Sequence, residues 1–422
     1  MPCPTVRSVI ETGVGNDTRD DAAVRHKVMK AAAIAAHALT DTEQEPVARL
    51  RSLWDAHGAV LAARGVGVTL PFDEFRRMLS GDLAELLPDG VAPAEMAGWR
   101  LITADGEFDD DVWDLEQEQR AVLRALASTT RRGKSTSSEI LQGELDQDTV
   151  YTALRKRQNQ GAYERGRRAL IDTPAGSDAE VRELNLPSTV TDHYRAIPTP
   201  SSFGQWWFAC PLCKWPMRIT VRGAGKAATG TARCHHRPHV EFGASYNFRI
   251  PDTGKPPVLV PAPPPTAPTG VERVLFPDVT GRVPEALPVA GHKALTRGVW
   301  RSTTIPGLVE VALYDALTAR GLACKLWPDL DSYDLLVKVP VSNGTDTSYR
   351  IDVKDFTSAL LLADKIRADE GDAGGAQWLV VPDYRRATVS MLSAVCGQFG
   401  LRVAHASDLG ARICEEAGTS WL

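Results

Sequence analysis

Apolar positions spaced three and four apart dominate the first two hundred residues. "MKAAAIAAHAL", beginning at Met29, reads as an ordinary helix. "PVARLRSLWDAHGAVLAARGV", from Pro46, places Leu50, Leu53, Trp54 and Leu61 at helical spacing. "PFDEFRRMLSGDLAELL" predicts another helix, opened by its proline and acidic residues. The acidic segment 104–118 then runs into "LEQEQRAVLRALAS", again helical. Past residue 270 the pattern changes to short apolar runs alternating with helical ones. A helix in "PGLVEVALYDALTARG", starting at Pro306, is followed by strands on either side of "VSNGTD". "SALLLADKIRA" reads as a helix, "AQWLVVPD" as a buried strand, "TVSMLSAVCGQFG" as a helix and "LRVAHAS" as a strand. Helix, hairpin, helix, strand, helix, strand predicts an α/β sandwich with crossover connections.

The two patterns meet at "PDTGKPPVLVPAPPPTAPTG", residues 251–270, whose eight prolines favour a stiff, extended connector. The expected organisation is multidomain α+β. It comprises a weakly ordered or helical N-terminus (1–45), an α-helical domain (46–200), a zinc-ribbon-like module (201–250), the Pro-rich linker (251–270) and a C-terminal α/β domain (271–422). With 422 residues the chain is long enough for two or three cores. Its apolar (43%) and charged (24%) fractions are those of an ordinary soluble protein. A formal charge of −5 argues against coating nucleic acid by bulk electrostatics, so such contact must come from local patches. "LRKRQNQGAYERGRRAL" offers one: Arg155, Lys156, Arg157, Arg165, Arg167 and Arg168 would either contact phosphates or form a solvated helix face. No apolar run reaches membrane-spanning length, and the stretch at Met29 lies too far in for a signal peptide. A cytoplasmic protein is expected.

Three of the seven cysteines cluster, which in a reducing compartment suggests metal ligation and not a disulfide framework. "CPLCKWP" gives Cys210 and Cys213 the spacing of a metal knuckle, and Cys234 follows in "CHHRPH". Structural zinc takes four Cys or His ligands. His239 is favoured as the fourth because a four-residue gap lets the loop fold back; His236 is the alternative, and His235 is too near Cys234. Gly223, Gly225 and Gly230 between the halves suit a hairpin, and Trp206, Trp207 and Trp215 are expected to pack on the module.

The richest chemistry lies in the C-terminal region. Glu310 shares the apolar face of its helix with Leu313 and Leu317, where a carboxylate is costly unless paired or metal-bound. "CKLWPDLDSYDLLVKVP" reads as a strand region holding Asp329, Asp331 and Asp334, and "YRIDVKDF" returns with Asp352 and Lys354. A two-residue Asn343-Gly344 turn would set Asp334 against Val353. A three-residue turn, Ser342–Gly344, pairs Asp334 with Asp352 and brings Lys354 to the same face. Asp355 then points the other way and reads as a surface charge. Two aspartates and a glutamate would hold Mg²⁺ or Mn²⁺, with Lys354 orienting or activating a water: phosphodiester hydrolysis. The competing reading is a solvated hairpin with an incidental Asp–Lys pair.

The ordered set of Glu310, Asp334 and Asp352-Val353-Lys354 resembles the PD-(D/E)XK nuclease superfamily, which implies Mg²⁺-dependent cleavage of DNA and a restriction-endonuclease-like fold for residues 271–422. "CPLCKWP", "RSTTIPGLVEVALYDAL", "DSYDLLV" and "IDVKDF" resemble a narrower group, the restriction-endonuclease-like proteins associated with prokaryotic PIWI/Argonaute-like (pPIWI-RE) systems. That resemblance implies an endonuclease acting in defence against invading DNA, with a PIWI-like protein and a helicase as partners. Asp334 lacks the preceding proline of the superfamily's name, and the cluster ends in His where many zinc ribbons use Cys. The alternative is a catalytically inactive nucleic-acid-binding or scaffolding subunit.

Overall fold

The computed structural model describes residues 19–40, 45–103, 106, 108–129, 142–156, 158–223, 228–252, 254–262, 270–276, 279, 281–340 and 347–422. These residues fall into two units. One comprises those up to residue 129 together with Phe356–Asp369; the other comprises those from Gln142 to Asp355 together with Glu370–Leu422.

The first unit is helical. Arg19–Thr40 presents a stripe of small side chains, Ala32 and Ala36 among them, and packs on Pro46–Arg64. The second of these helices buries Leu53, Ala56, His57 and Val60, while Leu50 and Trp54 stay half exposed. The face is therefore rotated from the one its largest side chains suggest. His57 tolerates burial because its Nε2 bonds the Leu70 carbonyl at 2.7 Å, and Trp54 stacks on Phe72 instead of entering the core. "PFDEFRRMLSGDLAELL" forms two pieces, helix Phe72–Met78 and a 3₁₀ turn Leu83–Leu86. The break follows from Asp82, whose carboxylate accepts from the Ala84 and Gly98 N–H groups and so starts a new turn. Helix Asp110–Thr129 packs against Ala359–Ala368, whose cap, Ser358, donates its N–H to Glu118 at 2.9 Å. Leu361 thereby joins the core of this unit.

In the second unit a single apolar core runs from Val150 to Trp421, drawing on the basic-helix, cysteine-rich and α/β segments alike. Two features bring distant segments together. A Cβ on Gly307 would meet Ile171 at 2.5 Å, so the bare glycine lets helix Gln160–Asp172 lie directly on helix Ile305–Ala319. Val260–Pro261, inside the proline-rich stretch, pairs with Ser245–Arg249 as an edge strand, a place where a missing N–H costs nothing. This part of the expected connector is thus packed; residues 263–269 lie outside the described residues. The strands Arg218–Arg222, Thr229–Arg233 and Ser245–Arg249 complete that four-stranded sheet.

The main sheet has five strands in sequential order: Ala323–Leu326, Leu335–Val339, Thr347–Val353, Trp378–Val381 and Arg402–His405. The first three are antiparallel and the last two join in parallel. Trp378–Val381 is buried along its whole length, as its uninterrupted apolar run predicts. Helices Ile305–Ala319 and Ala406–Glu416 pack together, and Val389–Cys396 lies on the last strand. The first of these does not begin at Pro306. A π-turn, Trp300–Thr304, feeds straight into it from Arg297–Val299.

Candidate active site and Cys3His cluster

The hairpin pairs Leu335 with Ile351 and Val337 with Tyr349, a register that carries Asp334 opposite Asp352. This is the register a three-residue turn requires, although Ser342–Gly344 themselves lie outside the described residues. Asp334 closes the end of the ladder: its N–H donates to the Ile351 carbonyl at 3.0 Å, and its Oδ2 accepts from the Val353 N–H at 2.6 Å. Lys354 Nζ donates to Asp352 Oδ1 at 2.7 Å, and its side chain is about a third exposed.

Glu310 projects from helix Ile305–Ala319 into a space with almost no solvent contact. Arg167, from helix Gln160–Asp172, reaches it with Nη2 at 2.9 and 2.8 Å from the two carboxylate oxygens. The same nitrogen lies 3.3 Å from Asp334 Oδ1, and Nη1 donates to Asp331. The guanidinium stands over two aromatic rings, 4.7 Å from the centroid of Trp327 and 5.3 Å from that of Tyr151. Trp327 Nε1 adds a further bond to Glu310 Oε2 at 2.5 Å.

The region 327–331, expected as strand, is a left-handed turn: Trp327, Asp329, Leu330 and Asp331 all have φ between 47° and 76°. Each such residue is unfavourable by roughly 1–2 kcal/mol, so the turn must be held from outside. Gln160 does so by donating to the Trp327 carbonyl (2.8 Å) and accepting from the Leu330 N–H (3.0 Å). Arg155 Nε donates to the Leu330 carbonyl at 2.9 Å and Tyr163 to Asp331 Oδ2 at 2.8 Å.

Burial pushes Asp352 up to about 7, with Lys354 pulling against it and Asp334 adding to it. Burial likewise pushes Glu310 up to about 8, despite Arg167 beside it. For Lys354, burial favours the neutral amine, but Asp352 and Asp334 outweigh it and hold the ammonium above its usual range. The site gathers four carboxyl groups, Glu310, Asp331, Asp334 and Asp352, against the three cations Arg155, Arg167 and Lys354, a donor set of hard oxygens that suits a divalent ion.

Cys210, Cys213, Cys234 and His239 place their ligand atoms within 4.8 Å of one another, all buried. Cys213 and Cys234 sulfurs are 3.7 Å apart, and His239 Nδ1 is 3.5 Å from Cys234 and 3.9 Å from Cys210. Tetrahedral zinc with ordinary bond lengths spans edges of about 3.8 Å between sulfurs and about 3.6 Å from sulfur to nitrogen. The cluster could thus bind a metal such as zinc. Gly230, in a strand of the adjoining sheet, is there to clear the Phe248 ring, which a Cβ would overlap at 2.0 Å. His235 instead meets Ser201 at 3.0 Å and packs edge-on to Trp215, which stacks on Trp300. Trp207 packs on His292.

His236, the alternative ligand, turns away from the sulfurs toward Tyr384 (3.4 Å) and Asp355 (3.7 Å). Asp355 is not a surface charge. It is buried, accepting from Tyr384 at 3.0 Å and Arg385 Nε at 3.1 Å, with Arg301 Nη1 at 3.5 Å. Burial alone would raise its pKa, but the two guanidinium groups outweigh it and hold the carboxylate below the usual range. Sequence reasoning missed this hub because its partners lie 54, 29 and 30 positions away.

The basic stretch does not form one patch. Arg167 is buried in the carboxylate cluster, Arg155 holds the left-handed turn, and Arg168 pairs with Asp172 (3.2 Å) and Asp315 (3.3 Å). Lys156 and Arg165 face solvent, and Arg157 lies outside the described residues. The signal for Arg167 was present in the sequence: it sits four residues after Tyr163 and three before Leu170, on the helix's apolar stripe.

Residues 307–421 match a family of restriction-endonuclease-like proteins. The family is described as a restriction endonuclease (REase) associating with pPIWI_RE, and the match supports a restriction-endonuclease-like protein of pPIWI-RE systems. Glu310, Asp334, Asp352 and Lys354 fall inside the matched segment; Arg167 and the Cys3His cluster fall outside it. Neither the curated proteins nor the solved structures include a match to this chain.

Proposed function

We propose that this protein is a Mg²⁺-dependent DNA endonuclease (Mn²⁺ serving equally). Its catalytic set would be Glu310, Asp334, Asp352 and Lys354, and its activity would serve prokaryotic defence against invading DNA alongside a PIWI/Argonaute-like protein and a helicase. The observation that carries the reading is Asp334 facing Asp352 across the hairpin, with Lys354 on Asp352, inside a segment matched to a restriction-endonuclease-like family. The partners and the defence role follow from the family resemblance. Asp334 and Asp352, with Glu310 as the third carboxylate, would hold the divalent ion. Bound there, the ion would polarise the scissile phosphate and make a bound water more acidic. The Val353 N–H fixes the rotation of the Asp334 carboxylate. Lys354, held as an ammonium, would orient the attacking water and steady the charge that develops on the phosphate. Cys210, Cys213, Cys234 and His239 would hold a structural zinc with no open position for substrate. Lys156 and Arg165 remain available to DNA phosphates.

One observation favours a second reading, a non-cutting DNA-binding or scaffolding subunit: Arg167 already neutralises Glu310 and Asp334 from within. Cleavage of linear and supercoiled DNA with Mg²⁺, alone and with the PIWI-like and helicase partners, separates the two. The nuclease reading expects Asp352→Ala and Lys354→Ala each to lower cleavage at least 100-fold while DNA binding stays within threefold. Cleavage that neither substitution changes would make the subunit reading the better one.

A further inference from the structure

Glu310 has no free oxygen. Oε1 accepts from Arg167, and Oε2 accepts from both Arg167 and Trp327. Asp334 differs: Oδ2 takes the Val353 N–H, and Arg167 reaches Oδ1 at the longer distance of 3.3 Å. Asp352 offers Oδ1 to Lys354, and its carboxyl group meets that of Asp334. Arg167 is also fixed more firmly than a mobile surface arginine. Its guanidinium is buried against Trp327 and Tyr151, its second terminal nitrogen is anchored on Asp331, and Asp331 is aimed by a left-handed turn that Gln160, Arg155 and Tyr163 hold in place. A permanent positive charge therefore stands where a cation bridging Glu310 and Asp334 would stand.

We propose that Arg167 is the resident cation of this site, a positioning residue that commits Glu310 to itself and leaves a single divalent ion to Asp334 and Asp352. This rests on the metal-dependent reading above and sharpens it, because Glu310 becomes a counter-charge and not a metal ligand. It also makes the helix Gln160–Asp172, far outside the family-matched segment, part of the working site. An arginine suits the task better than a lysine: its planar fork reaches Glu310, Asp331 and Asp334 together and stands over two aromatic rings.

Mn²⁺ titration of the full chain by calorimetry, with zinc already supplied to the cysteine cluster, tests this without reference to cleavage. The wild type is expected to take up one Mn²⁺. Glu310→Gln is expected to weaken that binding less than tenfold, and Asp352→Asn to weaken it tenfold or more. Arg167→Met, checked for folding by circular dichroism, should bind a second Mn²⁺ or the first at least tenfold more tightly. The inference is overturned if Glu310→Gln costs tenfold or more, or if folded Arg167→Met binds as the wild type does. Should Arg167→Met fail to fold, the Glu310→Gln arm alone decides. Undiminished binding by Asp352→Asn would instead remove the metal-site reading on which the inference stands.

Discussion

Asp355 and Asp352 sit three residues apart and meet opposite fates. Asp352 is pushed upward by burial, with Asp334 adding to it, whereas for Asp355 the surrounding Arg301, Arg385 and Tyr384 outweigh burial and hold it down. A buried charge that loses its partners costs far more than an exposed pair contributes. Asp355→Ala would remove the carboxylate that Arg301 and Arg385 share, whose side chains are respectively one-tenth and one-sixth exposed. The expected loss is roughly 3–5 kcal/mol of stability, read as a lowered urea midpoint at unchanged slope. A midpoint within experimental error of the wild type would show that the hub carries no net stability. Asp355 was misread in the sequence because strand alternation gives the face of a side chain and says nothing about whether that face is covered. Arg167 was misread for a related reason: a run of basic residues looks continuous on paper, although a helix sends every third or fourth one inward.

The elements nearest the site are those whose backbone departs from regular geometry. Directly after the left-handed turn at Trp327–Asp331, Gly374 passes so close to the backbone that a Cβ on it would lie 1.6 Å from the Ser332 carbonyl oxygen. Gly374 also has φ +61, so a side chain there is disfavoured twice over. Gly374→Ala is expected to destabilise the second unit by roughly 2–4 kcal/mol, with chemical-shift changes at Trp327 and Asp334. Gly375→Ala, at φ +89 but with open space around it, should cost less, about 1–2 kcal/mol. Equal losses from the two would discount the close approach. The regular elements were much more legible. The helix–hairpin–helix–strand order and the buried strand Trp378–Val381 follow from period-two and period-3.6 patterns, whereas the pairing of Asp334 with Asp352 was one of two registers, separated by the length of the turn. The turn at 327–331 had no such signature, since none of its left-handed residues is glycine and the side chains that hold it, Gln160, Arg155 and Tyr163, lie far away in sequence.

At the scale of the whole molecule, the cysteine-rich segment is part of the second unit's core, with Cys210, Cys213 and Cys234 buried alongside Trp215, Trp300 and Leu295. Loss of a metal from Cys210, Cys213, Cys234 and His239 should therefore be felt by that unit as a body. Purified protein is expected to contain one zinc per chain by elemental analysis. Stripping it with a strong chelator should lower the unit's apparent Tm by at least about 5 °C, while helical signal from the first unit persists. An unchanged melting curve after verified zinc removal would assign the cluster no structural role. The sequence by itself determined the local chemistry. The CxxC knuckle with its later His, the D-x-K strand and the order of the C-terminal elements are all written in short-range spacing, which backbone geometry converts directly into placement. Only the tertiary structure decided which charges meet. Arg167 reaches Glu310 across 143 positions, and Asp355 reaches its own partners across dozens, because burial makes opposite charges seek one another wherever the packed core brings them.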